Sequence, residues 1–234
     1  MLCMMTPSHS TDRRALITGS ARRVGRVIAE RLQSEGWSVA VHSRSIAAAQ
    51  HTAHEIDAVV GLGGDLADPA ACAALVDAAA DALGGLDLVV CNASSFVRAH
   101  PENVTIEQWD HAMHVVTRAP LLVMQHALPR LRASHGSVVL ISDRSAREQW
   151  PAFAAHAAAT AALESLCRSC AAAWHPHVRV NAIQPGTIMP PDEWDDARLQ
   201  QARAAGELTD IDHFLDALIA LACSSHRSGE IVVL

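Results

Sequence analysis

Short apolar runs alternate along the chain with longer stretches in which apolar residues recur every three or four positions. The runs fall at residues 15–18, 38–42, 57–62, 86–90, 137–141, 178–183 and 230–234. Each is short and apolar enough to be a strand buried on both faces. Between them, helical spacing is read at 26–35, 69–83, 106–116 running on through 121–131, an alanine-rich stretch over 152–174, and 211–222. Val27, Ile28 and Leu32 share one face of the first of these helices, and Gly36 stops it. Strands alternating with helices predict an α/β fold, a single Rossmann-type domain with a doubly wound parallel sheet and helices on both faces. A flexible tail is expected over residues 1–13 and the domain over 14–234.

Punctuation refines the picture. The first run leads straight into Gly19-Ser20-Ala21-Arg22-Arg23-Val24-Gly25 and then a helix. That strand, glycine turn and helix open a dinucleotide-binding βαβ unit, where helix N–H groups receive a pyrophosphate. At the tip of the second strand an acidic residue would hold a ribose hydroxyl, but the chain reads His42-Ser43-Arg44-Ser45. A guanidinium between two hydroxyls suits a phosphate monoester, which favours NADP(H) over NAD. The alternative is an ordinary solvated turn.

Composition excludes several classes. A formal charge of −7 argues against nucleic-acid binding, because a phosphate backbone recruits basic surfaces. No apolar run reaches eighteen residues, and residues 1–14 lack an apolar signal segment, so no membrane partner and a cytoplasmic location are expected. Six cysteines form no disulfide framework. Cys167 and Cys170 have CxxC spacing, but within a helical stretch they read as two buried small residues rather than a redox or metal pair. Fourteen histidines show no HExxH spacing, and no metal is expected. The chain contains eighteen arginines but neither lysine nor tyrosine.

Together the glycine turn, Gly64-Asp65-Leu66, Cys91-Asn92-Ala93-Ser94 and Asn181-Ala182-Ile183-Gln184-Pro185-Gly186 resemble the short-chain dehydrogenase/reductases over residues 15–234. Arg23 in place of a glycine, Asn92-Ala93-Ser94-Ser95-Phe96 and Asp143 look like the pteridine reductase branch, which includes the dihydromonapterin reductases. The resemblance implies that Gly19, Arg23, Val24 and Gly25 cradle phosphates and that His42, Ser43, Arg44 and Ser45 hold the 2′-phosphate. It further implies that Asp65 and Leu66 touch adenine, that Asn92 and Ala93 lie along the ribose, and that Pro185, Gly186 and Ile188 flank the nicotinamide. Phe96 would stack a flat heterocyclic substrate, and Arg23 and Ser94 would bond its polar edge. A substrate loop is expected at 187–208, and Trp194, with Trp150, is expected either to line the pocket or to serve in packing. Helices 106–131 and 152–174 would form the interface of a homodimer or homotetramer.

The resemblance breaks where the family carries its reactive pair, a Tyr and a Lys four residues apart on a helix. Thirteen residues after Asp143 stands His156, and four later Thr160; Val116 occupies the place of the family's Asn. Asp143 and His156 remain as the candidate catalytic pair, with His156 as an acid oriented by the carboxylate, and Thr160 as a neutral partner for a ribose hydroxyl. The expected activity is NADPH-dependent reduction of a dihydropterin or a related conjugated C=N bond. Two others stay open: a catalytically degenerate NADP-binding module, and a relative redirected to isomerisation, dehydration or cyclisation. Members of the family usually continue past the last strand into a glycine-bearing tail, whereas this chain ends at Leu234.

Overall fold

A computed structural model describes residues 13–148 and 150–234. Of the expected tail, residues 1–12 lie outside the described residues, and Arg13 already belongs to the first strand. Seven strands, β1 (Arg13–Ile17), β2 (Trp37–Ser43), β3 (Val60–Gly63), β4 (Leu88–Cys91), β5 (Ser137–Ile141), β6 (Arg179–Gln184) and β7 (Ile231–Val233), form one sheet in the order β3-β2-β1-β4-β5-β6-β7. Every pairing is parallel. The fold is the expected single-domain doubly wound α/β sheet. Its strand order reverses between β1 and β4, which opens a crevice at their carboxyl ends.

Among the described residues the α-helices are α1 (Arg23–Ser34), α2 (Ile46–Glu55), α3 (Pro69–Leu83), α4 (Ile106–Ala112), α5 (Ala119–Ser134), α6 (Ala154–Trp174), α7 (Asp196–Ala204) and α8 (Ile211–Cys223). Local chemistry explains their ends. The Asp68 carboxylate accepts from Ala70 N–H, Pro69 sits at the first turn, and Gly84 closes α3 at φ 74°. Thr105 and Gln108 make a reciprocal capping box at α4. One apolar cluster fills the face covered by α3, α5 and α6; a second, with Ile28, Leu32, Phe214 and Leu218, fills the face under α1 and α8. Truncating a fully buried Leu such as Leu16 or Leu218 to Ala would cost about 2–5 kcal/mol.

Three differences from the sequence expectations matter. Helices α2 and α7 carry no clean apolar stripe and were not expected as helices. The helix expected through 106–131 is broken by a π-helical turn, Met113–Arg118, between α4 and α5. The third strand begins at Val60 rather than 57, because Asp57 takes a left-handed φ of 54°. Residues 167 and 170 are buried free thiols on α6, and burial pushes Cys167 up to about 12, so neither offers a thiolate.

Candidate functional site

A cavity of about 1090 Å³ opens at the carboxyl ends of β1, β4, β5 and β6. Its floor on one side is the glycine turn. Gly19 has φ +64°, and a Cβ there would lie 2.9 Å from Ala93 Cα. A Cβ on Gly25 would meet the Gly19 carbonyl at 2.2 Å, so only glycine lets α1 pack this close to the loop. Asn92 directs its amide into the turn, donating to the carbonyls of Thr18 (3.1 Å) and Gly19 (3.0 Å).

The N-terminus of α1 has no side-chain cap and no acidic residue in its first turn, and its Ncap and first helical residue are Arg22 and Arg23. Free N–H groups, the helix dipole and two cations together fit a pyrophosphate. Arg23 holds φ 50°, a left-handed conformation that costs a non-glycine residue about 1–2 kcal/mol. Its guanidinium donates to Met189 O at 2.5 Å and so ties the turn to the loop after β6. At the tip of β2, Arg44 is exposed and, among the described residues, makes no side-chain hydrogen bond or ion pair, whereas Ser45 caps α2 through its hydroxyl.

His42 departs from its expected role. It is 1% exposed, its Nδ1 accepts from Gly19 N–H (3.1 Å), and its Nε2 donates to Gly64 O (3.0 Å). The ring therefore braces the glycine turn against the loop after β3 and is turned away from any 2′-phosphate. Burial lowers its pKa, opposed by the bond to Gly64. Leu66 likewise sends its side chain into the core, leaving Asp65 exposed beside it.

The other side of the cavity holds Asp143, just past β5, and His156 on the first turns of α6. Nε2 of His156 lies 2.5 Å from Oδ2 of Asp143, and its Nδ1 lies 3.0 Å from the Ser95 carbonyl. A carbonyl only accepts, so Nδ1 carries a hydrogen. Burial pushes the Asp143 carboxyl up, but the His156 bond and charge, with the Ser145 N–H, bring it below its ordinary value. At this separation a hydrogen lies between Nε2 and Oδ2, shared by the imidazole and the carboxyl.

Both members of the pair line the cavity, but they differ in exposure. His156 is 1% exposed in its side chain and Asp143 13%, so the carboxyl is the edge nearer the cavity and the imidazole its backing. Phe96 covers the imidazole, with ring centroids 4.0 Å apart and planes 31° from parallel. The face of an aromatic ring favours a cation there. Thr160 is buried and donates to the His156 carbonyl at 2.9 Å, so its hydroxyl hydrogen is already used within α6.

Of the remaining expected residues, Val24, Ser94, Pro185, Gly186, Ile188 and Trp194 line the cavity, as does Val116 from the π turn. Arg198 lies over Trp194 at 4.2 Å. Sequence reasoning missed Phe153, which packs edge-on against Phe96 (6.3 Å), and Glu164. Glu164 is 3% exposed and accepts from Ser142 Oγ (2.8 Å) and Gln184 Nε2 (2.6 Å). It ties the ends of β5 and β6, which carry Asp143 and the Pro185-Gly186 turn. Its position eight residues after His156, on the same face of α6, was a usable signal.

Comparison with known proteins agrees with this geometry. Residues 19–215 match the family model described as enoyl-(acyl carrier protein) reductase. The chain is 35% identical over 190 residues to the hydroxynaphthalene reductase-like protein Arp2 of Metarhizium robertsii, covering 78% of this chain and 71% of that one. It is 30% identical over 188 residues to the trans-4-hydroxycyclohexanecarboxylate dehydrogenase of Sinomonas cyclohexanicum, covering 76% and 73%. A crystal structure of a dehydrogenase/reductase from Sinorhizobium meliloti superposes with a TM-score of 0.86 at 29% identity, covering 95% and 93%. With its parallel seven-stranded sheet, glycine turn and crevice, the chain belongs to the short-chain dehydrogenase/reductase family, whose members use NAD(P)(H).

Proposed function

We propose that the protein is an NADPH-dependent reductase of a flat, conjugated substrate of the dihydropterin type, with the Asp143–His156 pair as its proton source. The observation that carries this reading is the pair itself: a carboxylate at the cavity wall, backed by an imidazole with both nitrogens bonded. A bound NADPH would supply a hydride. The uncapped N-terminus of α1 would hold its pyrophosphate, Arg44 with Ser43 its 2′-phosphate, and Pro185, Gly186 and Ile188 one face of its nicotinamide.

On the substrate side, Phe96 offers an aromatic face and Ser94 a hydroxyl. Asp143 meets the ring nitrogen that must gain a proton and passes to it the single proton held between its carboxylate and Nε2 of His156, leaving a neutral imidazole with its hydrogen on Nδ1. A C=N nitrogen is more basic than a ketone oxygen, so it can take this proton without the phenol of a Tyr–Lys pair. The relatives are named as reductases and dehydrogenases, which favours this reading over a degenerate binder or non-redox chemistry.

A hydroxynaphthalene-type ring is the second reading, favoured by the name of the Metarhizium relatives and by the two Phe and two Trp that line the cavity. We also infer a homodimer or homotetramer formed through α4, α5 and α6, because Ile106 and Trp109 of α4 are large exposed apolar side chains. The test is NADPH oxidation by purified protein with 7,8-dihydrobiopterin, dihydromonapterin and a trihydroxynaphthalene. Turnover with a dihydropterin supports the first reading, turnover with the naphthalene alone supports the second, and none with any refutes both.

A further inference from the structure

The segment from Ser94 to Ala99 runs along the cavity rim and is fastened at both ends. Near its start the Ser95 carbonyl accepts from His156, and at its end Ala99 N–H donates to Ala152 O at 2.9 Å, with Ala99 bridged to Phe153. In extended backbone alternate residues share a side. Ser94, Phe96 and Arg98 all line the cavity, while Ser95, Val97 and Ala99 do not. A hydroxyl, a ring and a guanidinium thus stand in a row on a fixed strip.

Three of the other four cavity arginines are bonded: Arg23 donates to Met189 O (2.5 Å), Arg144 pairs with Glu148 (2.6 Å), and Arg198 pairs with Glu207 (2.5 Å); Arg22 stands at the N-terminus of α1, away from the strip. Arg98 is exposed and, among the described residues, has no hydrogen bond or ion pair. The cavity also presents Asp192 and Glu193, on the loop after β6, so an unpaired cation there has two possible uses: a ligand anion or a latch for that loop.

We propose that the substrate carries an anionic substituent, a carboxylate or a phosphate, that Arg98 binds while Phe96 stacks the ring. The strip favours this over the latch because Arg98 shares its side with Phe96, two residues away, on the wall that carries the ring. The inference rests on the reading above only in taking this cavity as the substrate site; it requires neither turnover nor a pterin.

The probes are naphthalene-2-carboxylate and naphthalene-2-carboxamide, titrated into the NADP-loaded protein and followed by tryptophan fluorescence. Wild type should bind the carboxylate about tenfold more tightly, the effect of one charge-assisted contact. Arg98→Gln should bring the two within about twofold, Arg98→Lys should restore part of the preference, and NADP binding should be unchanged in both. Phe96→Leu should weaken both probes alike. No preference in wild type, no binding of either probe at millimolar concentration, or a preference that survives Arg98→Gln would overturn the proposal. Equal weakening of both probes in Arg98→Gln would also overturn it, in favour of the latch. Inactivity toward dihydropterins alongside the predicted binding pattern would refute the functional reading and leave this one standing.

Discussion

His156 lies behind Asp143, its Nε2 2.5 Å from the carboxylate Oδ2 and its other nitrogen bonded to the Ser95 carbonyl. The carboxyl is the more exposed of the two, so we assign it the contact with substrate and the imidazole the supply of its proton. Asp143→Asn should therefore abolish proton delivery and lower kcat by about 10²-fold or more, without weakening NADPH binding. His156→Gln should retain some activity, because the amide can still orient Asp143 but brings no proton. Steady-state kinetics of the two variants distinguishes this order from the reverse.

Arg44 stands exposed at the tip of β2, with Ser43 and Ser45 beside it. A guanidinium that grips a phosphate contributes about 1.5–3 kcal/mol. Arg44→Ala should raise the Kd for NADPH about tenfold or more and leave that for NADH within about twofold. Isothermal titration of both nucleotides checks this; equal losses would mean that Arg44 does not read the 2′-phosphate.

His42 couples stability to pH. Its folded pKa is lowered, chiefly by burial, so the unfolded chain binds this proton more readily than the native state. The contribution is present above the ordinary value of about 6.5 and is lost as the pH falls through the lower folded value. Melting temperature should drop between pH 7 and 5, and His42→Asn should flatten that slope while lowering stability at pH 7. Thermal scans across this window measure both.

Glu164 joins the strand ends on either side of the reacting centre. Glu164→Leu removes the oxygen that accepts from Ser142 Oγ and Gln184 Nε2 and leaves both donors buried without it. A loss of about 1–3 kcal/mol is expected for each buried donor left unpaired. If the residue positions Asp143, kcat should fall further than the loss of stability explains, with KM for NADPH nearly constant. Denaturant melts alongside kinetics test this.

Much of the fold was legible because buried parallel strands are short apolar runs and α3 announces itself with Asp68-Pro69 and Gly84. Helix α7, DARLQQARA, is polar on every side and offers no stripe to read. In α2 the apolar residues cluster in the first turn, where they blur the period. The π turn leaves no mark in composition. At the site, the spacing of thirteen between Asp143 and His156 was readable, but not which of them meets the cavity. That is decided by Ser95 and Phe96, brought over the imidazole by a loop more than fifty residues away in sequence. His42 misled for a similar reason: its neighbours in sequence face a phosphate position, while its own side chain points back to Gly19 and Gly64.

The proposed mechanism stores one proton more than neutral imidazole carries behind the Asp143 carboxylate. Nitrogen-15 NMR of histidine-labelled protein, with His156 assigned through the His156→Gln variant, reads it directly. At pH 7 both ring nitrogens of His156 should show the shifts of N–H groups, and Asp143→Asn should return Nε2 to an unprotonated shift. A singly protonated ring in the wild type, unaffected by Asp143→Asn, would contradict the account.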